Sequence, residues 1–221
     1  MKNLLFLPLL LLCLPVNAQH YVRTKHNFGV TASYSFFDAT QFKPGLKNSA
    51  NGTALSFGIT HEWKNMLYPE LFFTQHSGTM PYSNEGGIAA HYKTYAIGAG
   101  MTARFDLFSF DNKKKNGYCF GRVFNILLGV EDVQTLNKNL PFDPKNEFAG
   151  RIGMGMYSVW GGSAKAHEAW SIHWEAFYRY GITPFMSATN PVTNETEKFH
   201  HGSIGVNLRV IYHKTYKFSD M

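Results

Sequence analysis

Alternation with a period of two runs through most of this chain, and its polar rows carry charged residues at mid-segment. Tyr95, Ile97, Ala99, Met101, Ala103 and Phe105 form one apolar row; Ile204, Val206, Leu208, Val210 and Tyr212 form another. A period of two puts each row on one face of an extended strand. A soluble barrel turns its apolar face inward. Here the charges sit on the opposite face at mid-strand, which predicts apolar residues outside and charged residues inside. That is the pattern of a closed transmembrane β-barrel, which pairs every backbone group and has no edge.

The chain starts with a leader. Lys2 gives a basic start, Leu4 to Leu14 is almost wholly apolar, and Val16-Asn17-Ala18 offers small residues for cleavage before Gln19. Residues 1–18 therefore read as a secretory signal peptide and 19–221 as one outer-membrane β-barrel domain. The apolar run is shorter than the roughly 20 residues of a spanning helix. Bulky Leu11-Leu12 before Cys13 argues against lipoprotein processing. Beyond the leader Cys119 is the only cysteine, so no intramolecular disulfide forms. The chain lacks a zinc-type Cys/His cluster, a glycine-rich phosphate loop and a solenoid repeat. No catalytic residue, metal or cofactor is assigned. The net charge of +6 is scattered apart from Lys113 to Lys115, so the expected counter-charges are outer-membrane lipid and lipopolysaccharide phosphates rather than nucleic acid.

Eight strands are predicted, at 28–38, 52–63, 66–76, 90–105, 118–130, 147–159, 168–183 and 201–214. Their connections alternate in character. Those after the odd strands are long and rich in Asn, Pro, Thr and Gly; those after the even strands are shorter. Asp106–Gly117 is the exception, unless Leu107–Phe110 and Asn116-Gly117 extend the flanking strands around a Lys-rich turn. The fold class is thus all-β: an eight-stranded antiparallel up-and-down transmembrane barrel with periplasmic termini and long outer loops. A lipocalin-like soluble barrel is the competing fold, and it would expose Arg151, Glu175, Arg179 and Arg209.

Parity assigns the inward charges: Glu62, Glu70, Arg104, Arg151, Glu175, Arg179 and Arg209. Buried charges must pair or share water, and four Arg against three Glu nearly balance. An eight-stranded barrel is just wide enough for side chains to fill, which predicts a salt-bridge plug rather than a general pore. Inward glycines, including Gly98, Gly100, Gly153, Gly155 and Gly205, are expected to make room for the arginines. Pro69 implies a bulge or a strand end. Strand five places Phe120, Phe124, Ile126 and Leu128 outward and carries Arg122 with them. Snorkelling at the periplasmic headgroups lowers the cost of that arginine from about 2–4 kcal/mol to roughly 0–1. Trp63, Trp170, Tyr178, Tyr180 and Tyr212 form membrane-interface belts or, alternatively, an aromatic binding surface.

The leader ending in Val-Asn-Ala, together with strand-rich pieces such as Tyr95–Phe105, Phe148–Val159 and Gly202–Tyr212, resembles the small outer-membrane β-barrel domain family of Bacteroidetes-type bacteria, a porin-like family. The resemblance covers the mature chain and implies integral outer-membrane location without a catalytic signature. The tail departs from it, since Ser219-Asp220-Met221 follows Tyr216 and Phe218 where an aromatic terminus is usual. Several histidines keep other chemistry open. His76-Ser77 would suit lipid A modification if an acid stood behind the histidine; His76, His91, His200 and His201 would suit a surface metal; His173 should hydrogen-bond in the interior, and His213 should sit at the periplasmic interface. The leading function is a non-enzymatic structural or accessory subunit of an envelope or export assembly, with outer-membrane or periplasmic protein partners. The alternatives are a stand-alone adhesion or envelope-protection barrel and a lipid A-modifying enzyme.

Overall fold

A computed structural model describes residues 24–41, 49–63, 66–81, 89–115, 118–137, 143–161, 168–189 and 196–215. Its strands are β1 (Thr24–Gln41), β2 (Ser49–His61), β3 (Leu67–Pro81), β4 (Ala89–Lys115), β5 (Tyr118–Thr135), β6 (Asp143–Pro144), β7 (Glu147–Gly161), β8 (Glu168–Gly181), β9 (Met186–Thr189) and β10 (Thr196–Thr215). Each long strand pairs antiparallel with its neighbour, and β1 pairs with β10 from Thr24↔Thr215 to Gln41↔Phe199. That last pairing closes the sheet into a barrel.

The expected count of eight needs correction. Eight long strands make the ring, but the sheet holds ten, because β9 adds to β10 and β6 adds to β9. Both extra strands fall in segments where the sequence pattern predicts connections, 131–146 and 184–200. They are too short to show a period of two. The leader and the tail lie outside the described residues.

Strand lengths also differ. β4 continues to Lys115 and β5 begins at Tyr118, so Lys113 to Lys115 lie within a strand and pair with Phe120, Cys119 and Tyr118; the register of this hairpin shifts after Asp106 and Phe110. Pro69 sits where β3 has passed the end of its pairing with β2 at Glu70, so its missing N–H breaks no bond to that strand. The start of β1, the end of β10, the end of β2 and the Lys115–Tyr118 pair share one end of the barrel, called the inner end, and the opposite end is called the outer.

Side-chain alternation holds around the ring. On β10, Ile204 is 67% and Val206 61% exposed, while Ser203, Asn207 and Arg209 are buried. On β8, Trp170, Trp174 and Tyr178 are exposed against buried Ser171, His173, Glu175 and Arg179. On β5, Leu128 and Val130 are exposed while Val123, Asn125 and Leu127 point inward. The side chains of Phe120 and Arg122 lie outside the described residues.

The glycine expectation is corrected in detail. A side chain at Gly98 would collide with the ring of Phe72, and one at Gly153 would come 2.8 Å from Glu175 Oε1. The vacated space holds an aromatic ring and a carboxylate rather than arginine. Gly98→Leu is expected to lower unfolding stability by about 1–3 kcal/mol, because an inward branched side chain overpacks Phe72. Outward Ala99→Leu should stay within about 0.5 kcal/mol. Urea unfolding followed by tryptophan fluorescence distinguishes the two.

Candidate functional site: the charged interior

The alternation of β4, β7, β8 and β10 delivers Arg104, Arg151, Arg179 and Arg209 to the interior, each at most 8% exposed. Carboxylates reach the same space from several strands. Near the inner end, Arg104 lies 3.0 Å from Glu62 and 2.9 Å from Asp106. Tyr68 donates to Glu62 at 2.8 Å, Asn27 donates to it at 3.1 Å, and Tyr157 donates to Asp106 at 3.1 Å. The Arg104 guanidinium stands 4.3 Å from the Tyr157 ring centroid. Such stacking suits arginine, whose planar cation is weakly hydrated.

In the middle, fully buried Arg209 pairs with Glu70 and covers the Tyr68 ring at 4.5 Å. Asn207 donates to Glu175 at 3.0 Å and accepts from Thr31 at 2.8 Å. Further out, Arg151 bridges Glu131 at 3.3 Å and Glu175 at 2.9 Å, and Arg179 bridges Glu131 at 2.7 Å and Glu147 at 2.8 Å. Each bridge spans different strands, a use that fits the rigid guanidinium fork.

The interior is lopsided. β1 and β2 contribute hydroxyls, including Thr31, Ser33, Ser35 and Ser56, where the facing strands contribute charges. A cavity of about 40 Å³ remains between this hydroxyl wall and Glu70, Glu131, Arg151 and Arg179. It has room for about two or three waters among polar partners. At the outer end Phe37, Tyr92, Phe185, Met186 and Phe199 form an apolar cap over the charges. β9 and β6 anchor that cap, with Lys145 N–H donating to Phe185 O at 2.8 Å and Phe185 N–H donating to Phe199 O at 3.0 Å.

All seven charged positions named from the sequence lie in this interior: Glu62, Glu70, Arg104, Arg151, Glu175, Arg179 and Arg209. Sequence reading missed Asp106, Glu131 and Glu147, which enter the same network. The signal was available. Glu131 keeps the inward parity of Leu127 on β5, and Glu147 keeps that of Arg151 on β7, but both lie at or past the expected strand ends.

The histidines separate by face. His76 points inward, with its ring 5.1 Å from that of His201, while Ser77 points the other way and accepts from Gln75 at 3.5 Å. Strand alternation thus splits the pair that lipid A chemistry would require. His91 is exposed, and His200 stacks on Tyr180 and contacts Gly181 O at 3.0 Å, so neither joins His76 and His201. His173 lies 2.8 Å from Ser171 Oγ and stacks on Tyr157. His213 turns inward rather than toward the headgroups, 2.7 Å from Ser171 Oγ and 3.3 Å from Glu62.

Of the named aromatics, Trp63, Trp170 and Tyr178 are exposed. Tyr212 packs against Trp170 at 5.0 Å, and Tyr180 is half-buried beside His200. Trp63, Trp170 and Tyr212 lie toward the inner end; Tyr178 and Tyr180 lie toward the outer.

No protein-family model matches the chain, and no curated protein matches it. Among solved structures, it resembles Neisserial surface protein A at 18% identity over 86% of this chain and 97% of that one, with a TM-score of 0.39. It also resembles outer membrane protein AlkL in lipid bilayers at 14% identity, covering 92% and 96% of the two chains, with a TM-score of 0.47. Ail of Yersinia pestis is 12% identical, with 83% and 98% covered and a TM-score of 0.31. Likeness at this level carries no argument about function. The barrel stands on its own strand pairings, and its interior is filled with charge.

Proposed function

We propose that this protein is an integral outer-membrane barrel, porin-like in architecture, that serves as a non-enzymatic structural or accessory subunit of an envelope assembly. One observation carries the reading: an exposed apolar surface surrounds a closed ring whose interior is ionic. Water gives no reason for Phe28, Phe57, Ile59, Leu71, Ile152, Met154, Ile204 and Val206 to stand outside while Arg209 is fully buried. Lipid supplies one. Toward the outer end the outward residues turn polar again, with Asn51, His91 and Lys93 exposed, as fits strands that emerge beyond the hydrocarbon. Trp63, Trp170, Tyr178, Tyr180 and Tyr212 then serve as headgroup-level anchors. Termini in the periplasm, lipopolysaccharide around the wall and kinship with the Bacteroidetes-type barrels belong to the same proposal.

The ion network and the apolar cap favour a plug over a solute path. Purified protein in planar bilayers is expected to show no stepwise porin conductance; regular open-channel steps would overturn the plugged reading. The native particle, extracted from outer membranes in mild detergent, is expected to hold a further protein. A particle of one chain would overturn the subunit role and favour stand-alone adhesion or protection.

A further inference from the structure

The outward face of β2, β3 and β4 changes character row by row toward the outer end. Phe57, Phe73 and Ile97 pair across the three strands, and all three are exposed. The next outward row is Leu55, Gln75 and Tyr95. Thr53, Ser77 and Lys93 follow, and Asn51, Thr79 and His91 form the row beyond them. Apolar wall, mixed boundary and polar rim thus succeed one another along a single face.

The rim suits an anionic, hydroxyl-rich headgroup. Lys93 is exposed, and its ammonium lies 5.4 Å from the centroid of the Tyr95 ring, which itself stacks on Phe73 at 5.9 Å. That contact holds the cation at the edge of the apolar wall, where a lysine meets phosphate as a point charge. Further out, Asn51, Ser77, Thr79 and His91 border a shallow groove of about 390 Å³, with Gly52 and Gly78 between them. Thr79 donates to Asn51 Oδ1 at 2.8 Å, which ties the two sides of the groove together. Hydroxyl, amide and imidazole groups both donate and accept, as sugar hydroxyls do. No position in these four rows carries an acid; the flanking strands place Asp38 opposite Asn51 and Asp132 opposite Ala99.

We propose that the outer ends of β2, β3 and β4 seat one lipopolysaccharide molecule. Its acyl chains lie on the wall of Phe57, Phe73 and Ile97, a glucosamine phosphate meets Lys93, and core sugar fills the groove beside Thr79 and His91. The proposal rests on the outer-membrane reading above and adds a defined place on the wall. Phosphatidylglycerol offers the same acyl chains and phosphate without a sugar, so it leaves the groove unused.

The test is native mass spectrometry of the full chain, folded in mild detergent and titrated with deep-rough lipopolysaccharide. One molecule should bind per barrel and survive activation that strips phosphatidylglycerol. Lys93→Gln should weaken binding about tenfold, because it removes one charge-assisted contact from an exposed side chain. Lys198→Gln, at an exposed lysine on the outer part of β10, should leave binding unchanged. Dephosphorylated lipopolysaccharide should bind the parent and Lys93→Gln alike, and lipid A without core sugar should bind the parent more weakly. Equal weakening by both lysine variants, undiminished binding of the dephosphorylated form or of lipid A alone, or equal retention of phosphatidylglycerol would overturn the seat. Protease protection of the parent chain in phosphatidylcholine vesicles checks the outer-membrane reading separately. A chain that fails to insert overturns both readings, and one that inserts without retaining lipopolysaccharide overturns the seat alone.

Discussion

Arg209→Met is expected to destabilise the barrel by about 3–5 kcal/mol, the largest single-residue effect in the interior. Arg209 is fully buried, pairs with Glu70 and covers the Tyr68 ring. Its removal leaves the buried Glu70 carboxylate without the guanidinium that pairs with it. The companion substitution Glu70→Gln should therefore restore most of the loss, because the cost comes from the orphaned charge and not from the absent attraction. A double-mutant cycle of urea unfolding in lipid vesicles measures this. If the double variant is as unstable as the single one, packing of the guanidinium on Tyr68 accounts for the effect instead.

Val206→Arg is expected to cost about 2–4 kcal/mol in a bilayer, because Val206 pairs with Ala176 between the Trp170 and Tyr178 levels, where an arginine on the outward face must be dehydrated or snorkel a long way. Val206 is 61% exposed on β10, with Ile204 beside it on the same row. In a water-soluble barrel such an exposed substitution would change stability by no more than about 0.5 kcal/mol. The predicted cost therefore tests which solvent meets this face. Folding yield into vesicles should fall with the same substitution. Lys at His91, exposed beyond the apolar surface, should be tolerated.

Much of the fold was legible in the sequence because a period of two is a local property. The rows of β4, β8 and β10 can be read residue by residue, and the faces they define are the faces of the barrel. The residues of the ion network were legible for the same reason wherever they fell within an evident strand, as Arg151, Glu175 and Arg209 do. Glu131 and Glu147 were not, since parity says nothing once the strand is assumed to have ended. The short strands β6 and β9 left no periodic trace, and their place in the sheet comes only from their pairing, β9 on β10 and β6 on β9.

By itself the sequence determined which side of each strand is apolar, and through that an inside-out barrel. Alternation is fixed by backbone geometry and needs no partner. Only the tertiary structure decided which charges meet. Closure of β1 on β10 sets the register between strands far apart in the chain, bringing Arg209 to Glu70 and His213 to Glu62, while the β5–β7–β8 pairings bring Arg179 to Glu131 and Glu147. The excess of carboxylate over arginine came instead from strands that run further than the pattern marks, which carry Asp106, Glu131 and Glu147 into the same interior.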